Sequence, residues 1–331
     1  MAQEPVEGAP AAGTLRVVIE AADVGARLDK LVVRAAPGLG RAGAKKLFEE
    51  GRVRVFGPGE TRGHRASKGD VAPAGGAFEV TLGDAAASDA ALPDASAPLV
   101  IVLETSEVVV VDKPAGQPSA PIERGELGAV ANALVARFPE MARVGYSARE
   151  PGLCHRLDTG TSGLLVAGRT RAAFEAITGG IKEGRLDKRY LLLCAEEGLP
   201  DAGDIDFPLA PDPKHKGRVL ACVHPRDVAR LTPRPATTTF RVLRRANGWA
   251  EVEARAGRAA RHQIRAHFAA LGHPLAGDAL YGGPPMPDSA KARAGHALHA
   301  SRVTWPGSPA LPAFSLESPL PVELEAALTE P

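Results

Sequence analysis

The chain has 331 residues, 44% of them hydrophobic, and sets 40 Lys and Arg against 39 Asp and Glu for a formal net charge of +1. At about 150 residues per domain, two domains with ordinary cores are expected. No apolar run approaches the ~20 residues that cross a bilayer. The first 13 residues lack the basic stretch of a secretory signal, and three scattered cysteines form neither a disulfide framework nor a zinc knuckle, so a cytoplasmic location is expected.

Residues 1–13 are small and polar, and disorder is expected there. A block at 14–81 follows. It opens with a strand-like LRVVI at 15–19, then has helical patterns at 26–36 and 41–50, with Gly51 where a C-capping glycine would sit. A short strand at 53–56 ends in a Gly57-Pro58-Gly59 turn. Over 26–70 there are eleven basic residues and five acids, a local net of +6. Arg41, Lys45, Lys46, Arg52 and Arg54 are the candidate nucleic-acid contacts here, because such a block can follow a phosphate backbone by charge alone. A solvated helical surface is the competing reading. Residues 82–98, mostly Ala, Asp, Ser and Pro, read as an inter-domain linker.

The large block spans 99–310, and 311–331 reads as a tail. LVIVL at 99–103 and VVVVD at 108–112 form an expected hairpin. GAVANALVARF at 128–138 is helical and stops before Pro139. LLVAG at 164–168 is a strand, after which Thr170 is placed to cap a helix. YLLLC at 190–194 is a buried strand, and TTTFRVLRR (237–245) with WAEVEAR (249–255) should turn on Asn247-Gly248. A helix is expected over 261–271, with Ile264, Phe268 and Leu271 as its buried stripe and Arg265 at the margin of the core. The pattern implies an α+β domain with a mainly antiparallel sheet, preceded by a small α/β domain.

Three stretches could carry chemistry. In CHRLDTGTSG (154–163), Asp158 is flanked by Arg156 and by the hydroxyls of Thr159, Thr161 and Ser162, which could hold it ionised as a nucleophile or base. A plain turn, with Arg156 paired to Asp158, is the equal alternative. Ser162 lacks the second glycine of a nucleophile elbow. Residues 254–273 hold four arginines, among them Arg258, Arg261 and Arg265, and no acid, which makes the stretch a candidate phosphate-binding patch, with a solvated helix face as the competing reading for Arg261 and Arg265. Its histidines lack metal-pair spacing, and no metal site is expected. Tyr190, beside Lys188 and Arg189, is a usable stacking surface for a base, although a strand-edge aromatic is the commoner reading of such a residue. Nothing matches a P-loop, and no GxGxxG follows a strand and opens a helix, so no nucleotide cofactor is implied.

HRLDTGTSG (155–163), with VVVVDKPAG (108–116), KRYLLL (188–193), HQIRAH (262–267), GHPLAGDALYG (272–282) and ALHA (297–300), resembles the RluA-type family of RNA pseudouridine synthases. Residues 27–57 resemble an S4 RNA-binding domain, which some larger members of that family carry at this end. The resemblance implies a pseudouridine synthase fold and site-specific isomerisation of uridine in structured RNA, without cofactor. Ribosomal RNA is favoured over tRNA, and a monomer is expected. By the same likeness Asp158 would be the catalytic aspartate, Tyr190 would pack on the flipped base, and Arg265 would orient Asp158. Arg156 would help extrude the uridine, and Leu298 would line the uracil pocket. Two departures stand out. Ala259-Ala260 replace the family's usual Gly-Arg before HQIR, and Gln117-Pro118 follow DKPAG where His-Pro is common. A non-catalytic RNA-binding or assembly factor is the rival reading.

Overall fold

The computed structural model describes residues 13–36, 40–82, 90–257 and 259–329. The chain divides into two compact units, one reaching to Ala90 and taking in Ser147–Arg149, the other formed by Ala91–Tyr146 and Glu150–Pro331.

The first unit contains β1 (Gly13–Val18), α1 (Leu28–Ala35), α2 (Gly40–Glu49), β2 (Val53–Phe56), β3 (His64–Arg65) and β4 (Ala77–Leu82). Its antiparallel sheet has the order β1-β4-β2-β3. Leu28, Leu31 and Val32 recur at helical spacing and are buried with Leu47 and Phe48 of α2, against Val53, Val55, Phe78 and Val80 of the sheet. Gly51, at φ +69°, makes the left-handed exit from α2 that the sequence implies.

The second unit is built on a nine-stranded sheet. Its elements are β5 (Val100–Glu104), β6 (Val108–Lys113), α3 (Val130–Arg137), β7 (Ser162–Gly168), α4 (Arg171–Glu183), β8 (Asp187–Ala195) and β9 (Ala202–Ile205). A two-stranded hairpin, β10 (Leu209–Pro211) and β11 (Val219–Ala221), then leads through α5 (Pro225–Leu231) to β12 (Thr238–Ala246) and β13 (Trp249–Arg255). The chain continues with α6 (Gln263–Ala270), β14 (Leu298–Trp305), β15 (Phe314–Glu317) and α7 (Val322–Thr329). The main order is β5-β6-β7-β14-β8-β13-β12-β9, with β15 also on β14. Every pairing in this sheet is antiparallel except β7 with β14. Covered on both faces, β6 is a continuous apolar run: Val109 and Val111 face α3, while Val108 and Val110 face Ile177 and Trp305. Thr170 caps α4 by accepting from Ala173 N, and Asn247 and Gly248 both take positive φ in the β12–β13 turn.

Two expected boundaries move. Residues 91–98 are not linker. Ala91 lies in the core, Leu92 O accepts from Asn132 Nδ2 at 2.7 Å, and Asp94 Oδ2 accepts from Gly128 N at 3.0 Å. The apparent tail is also part of the unit, because Leu320, Leu324, Ala327 and Leu328 pack with Leu193 and Ala276. Small residues and prolines hid both segments, since their order comes from contacts with distant strands. Residues 1–12 and 83–89, expected to be disordered and linker, lie outside the described residues. Among the described residues no helix is long and apolar enough to cross a membrane.

Candidate active site

The glycine-rich loop before β7 is held from below by side chains that bond to its backbone. Lys113, 1% exposed at the end of β6, donates to the carbonyls of Thr159 (3.2 Å), Pro114 (3.0 Å) and Gln117 (2.8 Å). Burial pushes its ammonium down to about 7, with the Asp158 charge opposing the fall. Ser119 Oγ donates to Leu157 O and accepts from Leu157 N, and Thr161 Oγ1 lies 2.8 Å from His296 Nε2. Gln117, one of the departures in the sequence, donates through Nε2 to Pro98 O and Gly128 O. In this altered stretch Gln117 thus ties down its own backbone, and it is Ser119 that braces the loop.

Asp158 remains partly open, its side chain 24% exposed. One oxygen, Oδ2, accepts from Arg265 Nη1 at 2.8 Å. The same guanidinium grips the buried Asp278 in bidentate fashion, Nε to Oδ2 at 2.7 Å and Nη2 to Oδ1 at 2.8 Å. Burial alone would lower the proton affinity of Arg265. Its hydrogen bonds to Asp278 and Asp158 reverse this and hold it above the ordinary arginine range, so it is a fixed cation. His262, the residue before α6, takes φ +56° and brings Nε2 to 3.8 Å from Asp158 Oδ2, with Nδ1 3.2 Å from Tyr281 Oη. Burial holds His262 below its usual range, against the pull of Asp158. Tyr190 is 5% exposed in β8. Burial raises its phenol above the usual range and the Asp158 charge adds to the rise, so it is a neutral wall beside the carboxylate. Leu298 lies in the same apolar cluster, paired across strands with Leu192.

The structure thus brings together Asp158, Arg265 and Tyr190, with Leu298 in the apolar cluster that also holds Tyr190. It does not bring Arg156 to Asp158. Arg156 is 63% exposed at the side chain and pairs with Glu150 at 2.8 Å. Nor do the flanking hydroxyls of Thr161 and Ser162 serve the carboxylate: they bond His296 and His299 instead. Arg265 is buried within α6 and not at the core margin, because Gln263, Arg265 and His267 all find polar partners inside. Tyr190 sits mid-sheet between β14 and β13, with Lys188 buried near it and Arg189 ion-paired to Asp187 and Glu253.

The basic candidates divide differently. Lys45 and Lys46 pair with Glu49 and Glu50 at 3.4 and 3.6 Å, and Arg52 pairs with Glu50 at 3.0 Å. Exposed pairs of this kind hold loosely, about 0–1 kcal/mol each. Arg54 is exposed on β2 opposite Glu79 and Arg65. The Arg41 side chain and Arg258 lie outside the described residues. Arg261 is exposed and donates to Gly217 O at 2.6 Å.

Sequence reasoning missed the roles of Lys113, His262, Asp278, Tyr281 and His296. A signal for Asp278 was present: it is the first acid after Glu253, following four unopposed arginines. Nothing local marks Lys113, whose role depends on carbonyls of a loop 46 residues on.

A protein-family profile described as RNA pseudouridylate synthase matches residues 107–270. The ribosomal large subunit pseudouridine synthase D of Neisseria meningitidis serogroup A is 31% identical over 310 residues, spanning 91% of this chain and 77% of its own. An uncharacterized RNA pseudouridine synthase of Chloroflexus aurantiacus is 32% identical over 266 residues, covering 80% and 78% of the two chains. Among solved structures, human RNA pseudouridylate synthase domain containing 1 shares the fold at a TM-score of 0.53 and 24% identity, over 71% of this chain and 89% of that one.

Proposed function

Because the chain belongs to the RNA pseudouridylate synthase family, we propose that it isomerises specific uridines of large-subunit ribosomal RNA to pseudouridine, with Asp158 as the catalytic carboxylate. The reaction breaks the N-glycosidic bond, turns the base, rejoins it through C5 and releases the C5 proton. No electrons or phosphoryl groups change hands. The observation that carries the reading is the half-open Asp158 carboxylate, clamped by the buried Arg265–Asp278 pair beside Tyr190. Addition of the carboxylate to the sugar or base, and abstraction of a sugar proton, both need the carboxylate held in place, and Arg265 holds Oδ2. The uridine must leave the stack at a cost of a few kcal/mol, and packing on Tyr190 and Leu298 offsets part of that. Arg156, on the surface and held only by its exposed ion pair with Glu150, can leave that pair to enter the vacated stack.

The ribosomal assignment rests on the names of the relatives, which act on the large subunit. The first unit is read as an S4-type RNA-binding domain, supported by its two helices on a small antiparallel sheet and its excess of basic residues. A cytoplasmic monomer fits the same reading. Tritium release from a transcript of large-subunit rRNA labelled at uridine C5 tests it. Wild type releases tritium and Asp158→Asn does not. Wild-type turnover by the variant would remove Asp158 from the chemistry.

A further inference from the structure

The β10–β11 hairpin takes no part in the chemistry described above, yet it is tied to the catalytic centre. Tyr281 Oη accepts from Val219 N at 3.1 Å and donates to Val219 O at 3.0 Å, fixing β11 by its backbone. The same hydroxyl lies 3.2 Å from His262, which approaches Asp158. The Arg218 and Arg265 guanidinium carbons lie 5.0 and 5.1 Å from the centroid of the Tyr281 ring. Arg261, on the chain leading into α6, donates to Gly217 O in the hairpin turn. The turn therefore has a fixed register relative to the reacting carboxylate.

Its charge is one-sided. Between Leu209 and Ala221 the chain carries Lys214, Lys216 and Arg218, with His215, against the single acid Asp212. That acid is turned inward: Oδ1 accepts from Lys214 N at 2.8 Å and from His215 N at 3.3 Å, and Oδ2 lies 3.7 Å from Arg218 Nε. Lys214 and Lys216 are exposed, and neither pairs with an acid among the described residues. Outward-pointing cations on an ordered turn, beside a site that must hold a flipped nucleotide, suit a polyanion whose position matters.

Building on the proposed function, we infer that the turn at 212–218, with Arg261, holds backbone phosphates of the substrate RNA next to the target uridine and so sets which uridine reaches Asp158. The lysines supply charge, and Tyr281 transmits the register.

The test compares Lys214→Gln/Lys216→Gln with Arg171→Gln/Lys182→Gln, a control that removes the same charge from exposed positions on α4. Binding of an unmodified large-subunit rRNA transcript is measured against salt concentration, alongside tritium release. Loss of two phosphate contacts lowers the slope of log affinity against log salt by about 1.5 and weakens binding about tenfold at 100 mM salt. A matching fall in kcat/KM enters through KM. The control keeps the wild-type slope. An unchanged slope in the hairpin variant, or an equal loss in the control, overturns the inference. Absence of tritium release by wild type would sink the proposed function instead, and the binding comparison would still decide the role of the hairpin.

Discussion

The loop that carries Asp158 lies backbone to backbone on the segment before β14, and one methyl group should disrupt it. Gly295 sits at φ +82°, and a Cβ there would fall well inside the contact distance of Gly160 Cα and 3.1 Å from Gly160 O. Gly160 is two residues after Asp158. Two carbons pack no closer than roughly 3.5 Å, so Gly295→Ala drives the loop back by about 1 Å. The neighbour struck is backbone, with no flexible end to swing aside. A misplacement of about 1 Å at a reacting group costs on the order of 100-fold in rate. The left-handed φ adds about 1–2 kcal/mol of instability for a residue with a Cβ. Gly198→Ala separates the two effects, because Gly198 has φ +74° and nothing within 4 Å of its Cβ position. Tritium release and thermal unfolding should show both variants destabilised by a similar backbone cost, with kcat lost only in Gly295→Ala. Wild-type kcat in a folded Gly295→Ala protein would refute the claim that this contact positions Asp158.

Asp278→Asn leaves the buried Arg265 with half its countercharge. Unfolding should show a loss of about 3 kcal/mol, and kcat should fall with it; full turnover would mean that Asp158 alone orients Arg265. Burial pushes His296 down to about 4 from 6.5, so between those values the unfolded chain takes up a proton that the native one refuses. Stability should therefore decline as pH drops from 6.5 towards 4, by up to about 3 kcal/mol, and His296→Gln should flatten that acid limb in pH-dependent denaturation. Gly180 lies inside α4, where alanine ordinarily helps a helix, but its Cβ would come 2.7 Å from Trp305 Cη2. Gly180→Ala should lower the melting temperature through overpacking of about 1–3 kcal/mol and leave tritium release unchanged; a stabilised variant would contradict the packing.

Much of this architecture is readable locally. The β12–β13 turn follows from Asn247-Gly248, the capping of α4 from Thr170, and β6 from a run of four valines, because each depends on neighbours a few residues away. The candidate site was readable in part, since the 155–163 motif directs attention to Asp158, the carboxylate we propose as catalytic. For its electrostatic partner the neighbouring residues pointed to Arg156, whereas the resemblance pointed to Arg265. Arg156 lies only two residues from Asp158 but is turned to Glu150, and the partner that reaches the carboxylate is 107 residues distant. The β10–β11 hairpin has three-residue strands, too short for periodicity to register. Residues 91–98 and 311–329 looked loose because composition reports what a segment contributes and not what it is packed against. The full burial of α6 escaped the pattern for a related reason: its polar residues are satisfied by Thr238, Phe207 and Asp278, none of them near in sequence.

The position of β14 has a consequence for how this molecule comes into being. It lies between β7 and β8 and joins them, although those two strands are neighbours in the chain and β14 is made more than a hundred residues after both. Until it arrives, β7 and β8 present two unsatisfied edges that could pair with each other, closing the sheet in the wrong order. Folding must keep that slot open until β14 fills it, which makes assembly dominated by distant contacts, slow and cooperative. Pulse-labelled hydrogen exchange during refolding should find the β5–β6 hairpin protected before β8. Early protection of β8 together with β7 would mark a trapped pairing that has to dissolve before the enzyme can form.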